Sequence, residues 1–566
     1  MKRKILAVIL CVMAAAAIGV SGAVAAASAY DLTIEQWGIE YFNKLDCGLY
    51  WYSDVNDDVP TKDYVFDKNK PTIVYTHGWK PSESNVREGL SLKSRTAAAF
   101  AKKGFPSYEY DTEFYRYYIN NGYNVGVFFW NQLADNEGDP SVLVPDFSVD
   151  QKIWTANLAN GMTYITYDNV NAVKGKKTAA DDPTNPKKSV AMLFAESIVE
   201  VIGKDYESDL QLAGHSMGGQ LVLACGDYMC IMYDEGKINY LPDRVTLLDP
   251  YLEGLTPFPS TVTVDHSGKT YEYDAQNNDP VITVAELAAD AAVNIRKHGV
   301  PIEGYIANKD MCVQNYYLIN QMKGEANKQR AAEVREKFKE NCVWVYAKGL
   351  TLYGGFDPTH VMCVDYYFTT NNMKPVKSTE GLTVPCAQVP TEELRQMIGL
   401  TFLQKTPGRV NPAYYDRSTY SLVDFNTCEP YKADQPTGRI FGRLELTGAK
   451  GKTLAAELTD VDGKTVKKTV VDDKGYYVFN EVADGDYTIK LSVNDKENRV
   501  IAPVTVSKDT TSSGFPLVVE TQQVSLAADI DKYITMAVVA VLGIVLILGF
   551  AMGIKQSARI RRMKNE

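Results

Sequence analysis

The sequence predicts an α/β protein: a mostly parallel sheet with helices on both faces, followed by a small all-β sandwich and one transmembrane helix. Three observations predict it. Between about residues 30 and 431, short apolar strand-like runs alternate with segments of helical spacing, the order of a sheet covered on both sides. Beyond Pro436 the segments shorten and alternate between turn signals. Near the end, residues 533–554 (YITMAVVAVLGIVLILGFAMGI) form 22 positions without a charge.

Taken in order, Lys2, Arg3 and Lys4 precede an apolar run and then small residues up to Ala27, Ser28 and Ala29, so residues 1–29 read as a secretory signal peptide. The strands expected of a domain at 30–435 are 72–76 (TIVYT), 125–130 (VGVFFW), 210–213 (LQLA), 244–248 (RVTLL), 302–307 (IEGYIA) and 343–347 (VWVYA). Helices are expected at 189–202, at 218–230 and, charged and solvated, at 326–340. The stretch 132–188 is polar and broken by Pro140, Pro145, Pro183 and Pro186, which suits either a cap over a pocket or a mobile surface loop, with a slight lean to the cap.

In 436–520, turn signals at Asp462-Gly463, Lys474-Gly475 and Asp484-Gly485 separate short strands. A linker at 521–532 leads to the apolar run at 533–554, long enough at about 1.5 Å per residue to cross a roughly 30 Å hydrocarbon layer. The tail at 555–566 carries Lys555, Arg559, Arg561, Arg562 and Lys564, which by the positive-inside rule belongs in the cytoplasm. The expected location is thus the cell membrane, single-pass, with the catalytic domain extracellular on a bacterial surface.

The formal net charge of −11 and the lack of a basic cluster outside the termini argue against nucleic acid as a partner. Beyond the leader there are eight cysteines, an even number in a compartment that permits disulfides, but they allow 105 pairings and none is chosen. They lack paired C-x-x-C units, so no structural zinc is expected. Asp54, Asn56 and Asp58 begin like a calcium loop, yet Val59 and Val65 stand where glycine and a bidentate glutamate belong. No metal and no cofactor is expected.

Gly214-His215-Ser216-Met217-Gly218 fits G-x-S-x-G, a weak pattern alone. Its setting strengthens it: a strand runs into Gly214 and an apolar helix leaves from Gly218, so Ser216 sits on a strand-to-helix elbow whose helix start aims amides at developing negative charge. A serine hydroxyl needs a base. Of the five histidines, His215 lies within the elbow and His77, after TIVYT, suits loop shaping. His266 in a polar turn and His298 at a helix C-terminus read as surface residues. His360, after the last of the expected strands, is the choice. For the acid that orients the base, Asp249 follows the first strand beyond the elbow and Asp310 the second, and spacing leaves both open.

Together, GHSMGG, THGW and the order serine, aspartate, histidine resemble the α/β-hydrolase superfamily, and within it the pancreatic-type lipase branch, over about 71–368. In that branch the acid lies in an LDP motif, matched by Leu248-Asp249-Pro250, and paired aromatics follow the base, matched by Tyr366 and Tyr367 after His360. The resemblance implies Ser216 as nucleophile, His360 as base, Asp249 as acid, with Asp310 as the alternative, and an oxyanion hole from the backbone amides of Trp79 and Met217. Departures from the branch are Trp79 in place of phenylalanine and the polar stretch 260–278, which lacks the look of a lipase lid. No lipid-binding C-terminal domain is evident. Instead GYYVFNEVADGDYTIKL, at 475–491, resembles carboxypeptidase-regulatory-like and collagen-adhesin B-type domains, which implies a stalk.

The function these features point to is membrane-anchored hydrolysis of carboxylic esters, lipase or esterase-like, with lipid among the candidate substrates. Two alternatives stand beside it: amide or peptide hydrolysis by the same triad, and a surface adhesin that kept the fold without the activity.

Overall fold

The computed structural model describes residues 45–56, 60–79, 92–93, 111–112, 114–134, 149–157, 162–167, 174–178, 187–252, 261–272, 282–306, 325–347, 363–364, 367–368, 383–404, 415–416, 421–422, 432–434, 438–449, 452–495, 497–507 and 517–526. His360, Asp310, Tyr366, the leader at 1–29 and everything from 527 on, including 533–554, lie outside the described residues. Among the described residues no helix is long and apolar enough to cross a membrane. They fall into two compact units. The larger takes those up to Phe441 with those of Val478–Asp486 and Thr505–Leu517, and the smaller takes the rest.

The larger unit is built on a nine-stranded sheet. Its strands are β1 (Gly48–Tyr52), β2 (Thr72–Thr76), β3 (Asn124–Phe129), β4 (Leu210–His215), β5 (Arg244–Leu248), β6 (Ile302–Ile306), β7 (Cys342–Ala347), β8 (Thr401–Gln404) and β9 (Lys432–Asp434). They lie in the order β1-β3-β2-β4-β5-β6-β7-β8-β9. Each neighbouring pair from β3 to β8 is parallel, whereas β1 runs antiparallel to β3 and β9 to β8.

Parallel strands need both faces covered, and the described burial shows it: TIVYT, NVGVFF, RVTLL and IEGYI are buried at every position. Alternation of side chains divides each strand between two cores. Leu49, Trp51, Val74, Phe128 and Leu212 join one apolar cluster, and Tyr50, Tyr52, Ile73, Tyr75, Val127 and Ala213 join the other.

Over the first face lie α2 (Val190–Ile202), α3 (Met217–Asp234), α4 (Val284–Lys297) and α5 (Glu325–Asn341), which give Phe194, Leu221, Leu287 and Phe338 to that cluster. On the second, α1 (Phe114–Asn120) and α6 (Thr391–Met397) supply Phe114, Tyr118, Leu394 and Met397. Two of the helix starts are written locally. Ser189 caps α2 by accepting from the Met192 amide, and Thr283 and Glu286 form a reciprocal capping box at α4. Helix α5, expected to be charged and solvated, is solvated on one face only: Ala331, Val334 and Phe338 are buried in the first cluster, while Arg330 pairs with Glu286 at 2.6 Å and Lys337 with Asp290 at 2.6 Å.

The stretch 132–188 departs from the image of a polar surface loop. Short helices at Asn131–Ala134 and Val149–Lys152 and an antiparallel hairpin of Thr163–Tyr167 with Lys174–Thr178 occupy its described parts. Leu133, Ile153, Trp154, Met162 and Tyr164 are buried in the first cluster. Apolar residues spaced singly among polar ones conceal such a contribution. Asp150 within it is 1 % exposed, with Oδ1 accepting from the Gln151 amide at 2.9 Å, and burial raises its carboxyl to about 8.

The C-terminal part carries antiparallel strands: β10 (Ile440–Thr447), β11 (Leu454–Thr459), β12 (Thr465–Val470), β13 (Tyr476–Phe479), β14 (Gly485–Val493), β15 (Glu497–Val506) and β16 (Leu517–Ser525), most of whose residues belong to the smaller unit. Their two sheets run β13-β10-β16 and β12-β11-β14-β15. Strands end where the turn signals sit: Gly463 (φ 79°) lies between β11 and β12, and Gly475 (φ 86°) just before β13.

Cys47, Cys225, Cys342 and Cys386 are free thiols. Burial pushes all four above the ordinary thiol range, Cys47 to about 12 and Cys386 to about 11.

Candidate active site

Strand β2 connects onward to β3 on one side of it, whereas its neighbour on the other side, β4, leads on to β5. Connections that leave two adjacent parallel strands in opposite directions open a crevice at their carboxyl ends. The residues that end β2 and β4 there are Thr76-His77-Gly78-Trp79 and His215-Ser216-Met217.

Ser216 joins β4 directly to α3. Its backbone, at φ 57° and ψ −123°, lies outside the small left-handed helical well and in territory that side chains rarely adopt. From Leu212 to Gly226 every residue but Ser216 is buried, and Ser216 is partly exposed. Ser216 is thus the partly exposed residue of a turn that is otherwise interior. Backbone hydrogen bonds hold it: the Ser216 amide donates to the Leu248 carbonyl at 3.0 Å, and the Tyr251 and Gly219 amides donate to the Ser216 carbonyl, each at 2.9 Å.

Glycines let the chains close in. A Cβ at Gly214 would stand 2.0 Å from the Gly218 carbonyl oxygen, and one at Gly218 would stand 2.6 Å from the Thr76 oxygen and 2.7 Å from that of His77. At Gly78 it would meet Ser216 Cβ at 2.6 Å and Oγ at 3.1 Å, so the Gly78 α-carbon lies against the hydroxyl itself. Gly219 packs likewise on Pro250.

Asp249 arrives from the end of β5, 4 % exposed, with the second left-handed backbone of the site at φ 41°. Its amide donates to the Tyr305 carbonyl at 2.7 Å. Leu248 and Tyr251, which bracket Asp249 and Pro250, both bond through their backbones to Ser216. The Tyr251 carbonyl also accepts from Gln220 Nε2. Met217, 7 % exposed, opens α3, where first-turn amides lack intrahelical acceptors. Trp79 is 40 % exposed at the rim.

The fold thus brings Trp79, Gly214, Ser216, Met217, Gly218 and Asp249 to one edge of the sheet. Just downstream of His360, the structure describes Cys363-Val364 and Tyr367-Phe368. Tyr367 is buried, its hydroxyl accepting from Gln211 Nε2 at 2.5 Å beside the Arg244–Glu303 pair, and the Phe368 ring packs on Phe114 at 5.1 Å. Arg244 meets Glu303 through Nε at 2.6 Å and Nη2 at 2.8 Å and also donates to the carbonyls of Cys386 and Val389, a buried pair with both partners supplied. Glu303 sits at the start of β6, near the end of the sheet away from Ser216, and sequence reasoning missed it because a lone glutamate in IEGYI carries no pattern.

Two histidines differ from expectation. His266 is 6 % exposed, its Nε2 2.9 Å from Asp227 Oδ2, between the rings of Trp154 and Tyr228. His298 is 3 % exposed and bridges the ends of α4 and α3, with Nδ1 donating to the Asn294 carbonyl at 2.8 Å and Nε2 3.2 Å from Asp234 Oδ2. Both are interior ties between elements, a role that polar sequence neighbours disguise.

His77 is fully buried. Its Nδ1 lies 2.8 Å from the Gly78 carbonyl oxygen, its Nε2 accepts from the Trp130 amide at 3.3 Å, and its own carbonyl accepts from the Trp130 indole at 2.9 Å. The two rings stack at 5.8 Å with 15° between planes. Trp130 is the supporting residue that the sequence signalled only as a strand end.

No family model matches the chain, and no curated protein matches it. Among solved structures it is similar to Est1E from Butyrivibrio proteoclasticus with bound ferulic acid, at 14% identity over 54% of this chain and 88% of that one, with a TM-score of 0.23. A thioesterase domain from the curacin biosynthetic pathway is similar at 10% identity over 57% of this chain and 96% of that one, TM-score 0.21. BcpA, the major pilin subunit of Bacillus cereus, is similar at 18% identity over 18% of this chain, TM-score 0.11, and the chain spans 35% of that pilin's length.

Proposed function

We propose that the chain is a serine hydrolase of the α/β-hydrolase type that cleaves carboxylic esters through an acyl-enzyme on Ser216. The observation that carries this reading is the convergence of three chain-distant motifs on one strained, partly exposed serine, with Gly78 against its hydroxyl and Pro250 against its helix. A packing turn has no use for a non-glycine residue at φ 57° and ψ −123°; a nucleophile does.

In the proposed reaction Ser216 Oγ attacks the ester carbonyl while His360 takes its proton and Asp249 orients the imidazole. The negative oxygen of the tetrahedral adduct is met by the amides of Trp79 and Met217, and a preorganised donor of this kind is worth about 3 kcal/mol. The adduct collapses, the alcohol leaves with the proton from His360, and water repeats the sequence to release the acid. Membrane anchorage through 533–554, with the hydrolase domain outside the cell and the 436–520 segment as a stalk, completes the proposal and rests on the sequence patterns above.

The test uses the full chain. It should hydrolyse short p-nitrophenyl esters and take up a fluorophosphonate at Ser216, and Ser216→Ala should lower turnover by at least about 10⁴-fold with the melting temperature kept. A parent chain that neither turns over nor labels at Ser216 would move the adhesin reading to first place.

A further inference from the structure

The buried imidazole of His77 has a geometry that bears on the oxyanion site, and the inference rests on the ester-hydrolase reading. A carbonyl oxygen only accepts and a backbone N–H only donates. Nδ1 faces the Gly78 carbonyl and Nε2 faces the Trp130 amide, so a single form of the ring satisfies both: neutral, with its proton on Nδ1. The Gly78 carbonyl is therefore gripped by Nδ1–H. The Gly78–Trp79 peptide is trans, so its N–H points opposite to its C=O. Holding that oxygen against the imidazole consequently sets the direction of the Trp79 N–H, in a loop whose preceding α-carbon touches Ser216.

We propose that His77 is the positioning residue of the oxyanion site: its Nδ1–H fixes the Gly78–Trp79 peptide plane and so aims the Trp79 amide at the oxygen formed on the substrate. The imidazole itself touches no substrate. It is held in turn by Trp130, through ring stacking, the amide to Nε2, and the indole N–H to the His77 carbonyl. A site whose donor is a main-chain amide cannot be tuned by changing the donor, and it is tuned instead by the group that orients the peptide.

The experiment compares His77→Asn, His77→Gln and His77→Leu in the full chain, with p-nitrophenyl ester kinetics and melting temperatures. The Asn side-chain amide can stand where Nδ1 stands, whereas that of Gln reaches the Nε2 position. An oxyanion donor lost outright costs about 10²–10³-fold, so a misaimed one in His77→Leu should lower kcat about 10- to 100-fold with KM changed less than about 3-fold. His77→Asn should recover most of that loss and His77→Gln little. Equal rates for all three variants, or a loss confined to KM, would overturn the proposal while a turning-over parent keeps the hydrolase reading intact. A parent that neither hydrolyses ester nor labels at Ser216 would sink both. Independently of turnover, ¹⁵N spectra of histidine-labelled protein should show His77 neutral with its proton on Nδ1, and an Nε2–H or doubly protonated ring at neutral pH would overturn it.

Discussion

The turns of the smaller unit and the elbow of the larger one solve the same backbone problem in opposite ways. Where the antiparallel sheets reverse, left-handed φ falls mostly on Gly463 and Gly475, or on Asn494 and Asp495, side chains that tolerate that region, with Glu481 between β13 and β14 as the exception. At the carboxyl edge of the parallel sheet it falls on Ser216 and Asp249 instead. The glycines there occupy the adjacent positions, where space rather than φ is short: a Cβ at Gly214 or Gly218 would run into backbone. The turns of the antiparallel sheets rely mostly on residues that tolerate the region, whereas the candidate site places Ser216 there and its neighbours give up their side chains.

This contrast can be broken at its strongest point first. If the placing of Asp249 beside the elbow serves catalysis, Asp249→Asn should lower kcat about 10⁴-fold, whereas Asp310→Asn should stay near parental turnover. The reverse order of the two variants would assign Asp249 to packing alone. Paired stability measurements sharpen the comparison further. Gly475→Ala, where the added carbon would stand 1.9 Å from the Leu444 carbonyl oxygen, should cost at least about 2 kcal/mol in denaturant unfolding of the smaller unit. Ser216→Gly should do the opposite and stabilise the larger unit by about 1 kcal/mol or more while removing turnover. Absence of any gain would mean the elbow is unstrained.

The smallest effect belongs to Asp150. Its folded carboxyl sits at about 8 against an ordinary value of 3.8, so between those values the folded protein binds a proton that the unfolded chain has shed. Stability contributed by this group is therefore present at low pH and is lost as pH rises from about 4 through about 8. Asp150→Asn should flatten that slope, melting above the parent at pH 8.5 by more than it does at pH 5.

How much of this was legible depends on which forces write themselves into a pattern. TIVYT and RVTLL read as strands and are strands with the same ends, because burial on both faces leaves a run of apolar, β-branched residues. The elbow was legible because close backbone approach demands glycine in fixed places. GLYWY, the edge strand β1, was not, since contiguous aromatics behind a glycine carry neither period. TFLQ at β8 is too short to announce itself. His266 and His298 were misjudged as surface residues because a polar turn and a helix end look alike whether exposed or tied to Asp227 and Asp234. Long-range pairing of that kind leaves no local trace, and the same is true of Arg244 with Glu303.

The wall that faces the Ser216 hydroxyl is made of main chain, the α-carbon of Gly78, and the groups that would receive charge are peptide N–H dipoles. Main chain does not mutate. A substitution at the rim, where Trp79 is exposed, therefore alters size and polarity around the hydroxyl without replacing the α-carbon that faces it.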